Sequence, residues 1–149
     1  MAGSFSQYLD LKALDHEIGA IAHTPVATLY LGLSTTTISG DGTGITEPAI
    51  GTYNYVRVAI TNNVTNFPAA SVVSGKAQKT NGVEFDFPQA LGAWGTITYL
   101  FLSDAATGGN MVAYAQLMDP TDPTTPLPKT ITAGDTLKFP IGTLKFTLG

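Results

Sequence analysis

"GAWGTITYLFLSDAATGGN", residues 92–110, decides the fold class. From Thr96 to Ser103 the run is almost continuously apolar, as in a strand buried on both faces. Gly92 and Gly95 bracket Trp94, the only tryptophan, so the chain can bend on either side of the ring. Gly108, Gly109 and Asn110 tolerate positive φ and supply a turn. "MVAYAQL" (111–117) then returns as the next strand. The pattern predicts a central hairpin, with Trp94 plugging one end of a pair of facing sheets.

Other stretches repeat the two-residue period. In "ATLYLGLST" (27–35), Leu29, Leu31 and Leu33 alternate with Thr28, Tyr30 and Gly32, a strand with one face inward. In "YNYVRVAITNN" (53–63), Val56, Val58 and Ile60 are expected on one face and Tyr55, Arg57 and Thr61 on the other. "GVEFDFP" (82–88) places Val83, Phe85 and Phe87 inward, with Glu84 and Asp86 outward. The closing segment reads as two strands, about Asp135 to Phe139 and Thr143 to Leu148, joined at Pro140 to Gly142. Leu144, Phe146 and Leu148 are expected on the inner face of the second.

Three segments depart from this period. Near the N-terminus, Leu11, Leu14, Ile18 and Ile21 fall three or four apart, predicting one short amphipathic helix over about 5–19. Ser4 or Ser6 is its candidate cap, and Gly19 its left-handed end. "TTTISGDGTGITEPAIGT" (35–52) has four glycines and no apolar period, so it reads as a long functional or mobile loop. "MDPTDPTTPLPK" (118–129) has four prolines and reads as a stiff, extended arm without sheet pairing. The sum is about seven short strands with Gly and Pro turns. The fold class expected is all-β, an antiparallel β-sandwich of jelly-roll-like form with one short N-terminal α-helix. One domain is expected over 1–149, with the sandwich from about 26 onward and the arm at 119–129.

Composition narrows the function. Only 12% of the 149 residues are charged while 44% are hydrophobic, about half the charge usual for soluble domains. Such depletion suits a Thr-rich surface or one covered in an assembly. The net charge is −4 and the seven Lys and Arg form no cluster, which argues against nucleic acid. There is no cysteine, hence no disulfide or thiolate metal site. "MAGSFSQYLDLKALDHE" lacks a basic start and an apolar core, so no secretory signal is expected, and no apolar run is long enough to span a membrane.

Reactive constellations are thin. A hydrolytic triad needs nucleophile, base and orienter together, and the only histidines, His16 and His23, adjoin no Gly-x-Ser-x-Gly elbow. Their separation of seven does not match zinc spacing. His16 is expected to be solvated or capping, and His23 to bond to backbone. Asp41 in "SGDGTG" is a lone carboxylate with Glu47 distant, too few oxygens for calcium, and no lysine follows as in a phosphate loop. Glu84 and Asp86 share a face without an aromatic sugar platform. "NVT" (63–65) matches a glycosylation sequon, of little weight without a secretory signal. No catalytic residue, metal site or cofactor is expected, and the chain is not read as an enzyme.

Five segments together carry a family resemblance: "FSQYLDLKALDHEIG" (5–19), "TPVATLYLGLSTT" (24–36), "YVRVAITNNVTNFPAAS" (55–71), "WGTITYLFLSDAATGGNMVAYAQL" (94–117) and "ITAGDTLKFPIGTLKFTLG" (131–149). In this order they resemble a family of small tailed-bacteriophage virion proteins often labelled "phage tail fibre protein". The block from Trp94 to Asn110 is its most specific part. The chain departs from the family at "MDPTDPTTPLP", where the family is shorter.

The resemblance implies a structural role in a virion. Short, repeat-free size favours a capsid decoration (cement) protein on the capsid surface, made in the host cytoplasm, that binds the major capsid protein. The alternative is a tail-fibre or receptor-binding adhesin module. A homo-oligomer, dimer or trimer, is expected, with apolar burial and edge-strand pairing as its source of energy. Interface candidates are Phe5, Tyr8, Ile45, Tyr53 and Leu127, apolar or aromatic residues outside the alternating pattern.

Overall fold

A computed structural model describes residues 2–148. Its elements in order are β1 (Ala2–Phe5), α1 (Gln7–Glu17), β2 (Thr28–Ser34), β3 (Val58–Thr61), β4 (Ser71–Val73), β5 (Lys76–Thr80), β6 (Phe85–Asp86), β7 (Gly95–Ile97), β8 (Tyr99–Ser103), β9 (Met111–Gln116), β10 (Lys129–Ile131), β11 (Lys138–Phe139) and β12 (Lys145–Leu148). Eight strands form one sheet in the order β3-β2-β8-β9-β1-β12-β5-β4, while β10–β7 and β11–β6 form two small ladders. All pairs are antiparallel except β1–β12. The fold is therefore all-β with one helix. Its layers are unequal.

The core lies between the large sheet and the small ladders. Leu29, Leu31, Leu33, Leu100, Leu102 and Phe146 from the sheet share one buried cluster with Phe85, Phe87, Ile97, Ile131 and Phe139 from the ladders. Phe87 meets Phe139 and Trp94 edge-on, with centroids 6.3 and 6.2 Å apart, a favoured aromatic geometry. Trp94 itself is 5% exposed, as its place at the end of the sandwich predicts.

The apolar run after Trp94 is buried throughout, but it is two strands. β7 pairs with β10 in the small layer, and β8 pairs with β2 and β9 in the large sheet. Thr98 is the crossing point, its N–H donating to Ser34 O at 3.0 Å. A run buried first in one layer and then in the other looks continuous in sequence. The closing strands divide likewise: β11 joins β6, and β12 lies between β1 and β5. Asn81 holds this second crossing. Its amide donates to Val83 O, Phe139 O and Pro140 O, and its Oδ1 accepts from Leu144 N–H at 2.9 Å. Leu144 and Phe146 point inward as expected, while Leu148 is 43% exposed.

Other expectations are corrected. The alternation read through residues 53–63 does not begin until β3. Tyr53 and Asn54 take positive φ (49° and 67°), which turns Tyr55 into the core and leaves Val56 exposed. The hairpin β4–β5, turned by Ser74 and Gly75 at φ 50° and 77°, was not legible in "SVVSGKAQKT" because its exposed face carries no alternation. β1 also escapes the local pattern. It is held between β9 and β12, where a Cβ on Gly3 would stand 2.1 Å from Tyr114 O, so only glycine fits.

The helix is shorter than 5–19, running Gln7–Glu17. Ser6 is its cap, accepting from Leu9 N–H at 3.3 Å. The chain closes it with an Ile21 N–H to Asp15 O bond at 3.0 Å across Gly19 and Ala20, both at positive φ. The expected apolar stripe does not face the core. The helix buries no side chain.

The proline-rich segment is a folded loop rather than an extended arm. Met118 bridges Pro126, Asp119 N–H reaches Thr125 O, and Leu127 N–H donates to Leu117 O at 2.9 Å. Asp119 accepts from the Thr121 hydroxyl and N–H, and Asp122 from Thr125, Thr124 and their backbone. These bonds hold both carboxyls below the usual aspartate range. Groups depressed in the folded state favour loop order at neutral pH, an effect lost as pH falls through their lowered values. The amide shifts of Thr121 and Thr124 are therefore expected to hold steady down to about pH 4 and to move only below it. Titration of these amides at an ordinary aspartate value would show that the carboxylates are not engaged.

Candidate functional site

A buried polar cluster fixes the outer face of the large sheet. Arg57 meets Glu47 in a two-bond ion pair, Nε to Oε1 and Nη2 to Oε2, both 2.9 Å. Their side chains are 7% and 14% exposed. Tyr55 donates its hydroxyl to Glu47 at 2.8 Å and accepts from Leu33 N–H at 3.0 Å. Burial, then the Glu47 charge, pushes the Tyr55 hydroxyl far up, so it stays protonated and donating. Arg57 also donates to Ala105 O and Gly108 O and lies 5.0 Å over the Phe101 ring. The cluster thus clamps the loop 35–52 and the turn 104–110 together. Ile38 and Ile45 of that loop pack with Phe101 and Met111, covering the face where Gly32 sits directly under Phe101. The glycine loop is a bonded cover.

The remaining ionisable groups are dispersed. His16 Nδ1 lies 3.3 Å from Ile21 O at the exposed helix end, and His23 lines a cavity described below. Asp41 accepts from Thr43 N–H and Oγ1, which holds its carboxyl below the usual range. Lys138 lies between Glu84 and Asp86, at 3.4 and 3.3 Å, and all three side chains are nearly half exposed. Such exposed pairs contribute little. Among the described residues no group of three or more His, Cys, Asp or Glu is placed to hold a metal.

The surface around the N-terminal helix is a different case. Phe5 is half-buried against the core, and with Tyr8 and Leu9 it walls an apolar cavity of about 260 Å³. Leu29, Leu102 and Phe146 form its floor; Val26, His23 and Lys79 stand at its rim. A smaller, more polar depression of about 170 Å³ lies on the other side of Tyr8, lined by Ile45, Asp41 and Arg57 among others. Phe5, Tyr8 and Ile45 are therefore brought together. Tyr53 and Leu127 line neither depression. Tyr53 is 54% exposed, its ring against Gly92 and its carbonyl accepting from Trp94 Nε1 at 3.0 Å. Leu127 is half exposed on the folded loop.

Beside the cavity stand the residues that sequence reasoning assigned inward. Leu11, Leu14, Ile18 and Ile21 are 63, 58, 78 and 58% exposed. The three-four period identified an apolar stripe correctly, but period alone does not say whose core the stripe meets.

A family model described as "Podophage GP4 fiber I protein gp80" matches residues 4–147. No curated protein matches the chain. The match runs from β1 into β12, the two strands that pair in parallel, and so takes in both layers and the exposed helix. On this match the chain belongs to the podophage GP4 fiber I protein gp80 family, and is a structural protein of the bacteriophage virion.

Proposed function

We propose that the chain is a non-catalytic fibre module of a podophage tail, working by binding other virion proteins. The observation that carries this reading is the family match over residues 4–147. The structure supports it in two ways. Its polar side chains are spent on holding loops, as in the Glu47–Arg57–Tyr55 cluster, and its unpartnered apolar surface is gathered at the N-terminal helix. Exposed apolar surface of this kind marks binding to another protein.

Capsid decoration, with the major capsid protein as partner, is the second reading. It is favoured by the short chain of 149 residues, in which no repeat is apparent. Copy number and position separate the two. Cryo-electron microscopy of intact virions, with labelled antibody against this chain, is expected to show a small number of copies at the tail. Hundreds of copies that leave with the shell would overturn the fibre reading in favour of decoration.

A further inference from the structure

We infer that the helix α1 of one copy docks into the cavity beside α1 of a second copy. The inference is independent of whether the virion carries the chain on its tail or its shell. An isolated helix shorter than about 12–15 residues is marginal in water, and protein helices owe most of their stability to packing of an apolar face. Here the helix has 11 residues and buries none of its side chains, while Leu11, Leu14 and Ile18 project from it into solvent. Its own domain does not supply the packing. Another surface must.

The complementary surface is on the same face of the molecule. The cavity of about 260 Å³ has an apolar floor and is too large to be a packing defect. An apolar cavity of about 150 Å³ already accepts a benzene ring, so branched aliphatic side chains fit this one. Charge identifies the second copy as occupant. Lys79 stands at the rim, its ammonium donating to Phe67 O and Pro68 O with no carboxylate partner among the described residues. His23 stands beside it. The helix carries Asp10, Asp15 and Glu17, likewise outside the described ion pairs. Asp104, the acid at the rim, is already bonded to Asn110. An acidic helix with an aliphatic stripe thus meets an apolar groove with a basic rim. A protrusion and its socket on one face permit reciprocal docking, the arrangement of a two-fold dimer.

Sedimentation and light scattering of the full chain test this. The wild type is expected to self-associate at micromolar concentration. Leu14→Glu with Ile18→Glu, on the exposed stripe, is expected to raise the dissociation constant about 100-fold, as for central anchors of an interface. Val26→Glu at the cavity rim is expected to do the same. Circular dichroism confirms that both variants keep the sheet. Mixing them is the decisive arm: an intact helix and an intact groove are then present on different copies, and a one-to-one complex is expected. A wild type monomeric at about 100 μM overturns the inference, as does capture of only another virion protein. Dimers that survive Val26→Glu would instead show helix-to-helix pairing, and would overturn docking into the groove.

Discussion

Replacing Glu47 with alanine is expected to lower the stability of the fold by about 3–5 kcal/mol, the cost of leaving a buried partner charge uncompensated. The guanidinium of Arg57 would remain under the glycine loop with its Nε and Nη2 donors unpaired, since both are spent on Glu47. The Tyr55 hydroxyl would lose its acceptor in the same step. For a chain of this length that loss corresponds to about 10 °C in melting temperature. Glu47→Gln keeps an acceptor for Tyr55 and should fall between the wild type and alanine. A double variant, Glu47→Leu with Arg57→Met, removes both charges together and should recover much of the loss, because buried pairs often exchange for apolar residues at little cost. Urea unfolding of the four proteins checks the series. A loss under about 1 kcal/mol for Glu47→Ala would mean that water reaches the pair.

Trp94→Ala is expected to cost a similar amount, about 3–5 kcal/mol, by a different route. The indole is wedged between layers, edge-on to Tyr55 at 5.2 Å and to Phe87 at 6.2 Å, and its removal leaves a void in the aromatic end of the core. It also removes the Nε1–H bond to Tyr53 O, one of two bonds to the carbonyl of a residue held at positive φ. Trp94→Phe separates the contributions. It keeps most of the ring volume and loses the bond, so it should cost roughly 1 kcal/mol beyond any packing loss. The alanine variant is followed by circular dichroism. In the wild type the single tryptophan reports unfolding by its own fluorescence. Equal midpoints for the wild type and Trp94→Ala would place the ring outside the core.

Much of the architecture was legible locally. Leu29, Leu31 and Leu33, then Phe85 and Phe87, then Leu144 and Phe146, are inward as the two-residue period requires. Where reading failed, the period was interrupted by backbone that no hydropathy pattern reports. Two successive positive-φ residues, Tyr53 and Asn54, invert Tyr55 and Val56. Arg57 was assigned with the outward residues, yet it is buried. In a chain with 12% charged residues, an arginine inside a strand pattern and a glutamate in a glycine loop were the available signal of a pair. Of the surface candidates, Phe5, Tyr8 and Ile45 converge around the N-terminal helix, whereas Tyr53 and Leu127 stand apart. The loop at 118–129 folds back because Asp119 and Asp122 offer acceptors to nearby threonines, a competition that counting prolines overlooks.

By itself the sequence determined that this protein is built of short strands around an aromatic-capped core, with a single helix at its start. That follows because side-chain alternation and glycine turns act over a few residues, within reach of local pattern. Only the tertiary structure decided which layer each strand enters, that β1 pairs in parallel with β12 across the whole chain, and that the helix turns its aliphatic side chains to solvent. Those outcomes depend on contacts between distant segments. The β1 ladder aims the helix away from the core, and no spacing of leucines encodes that direction.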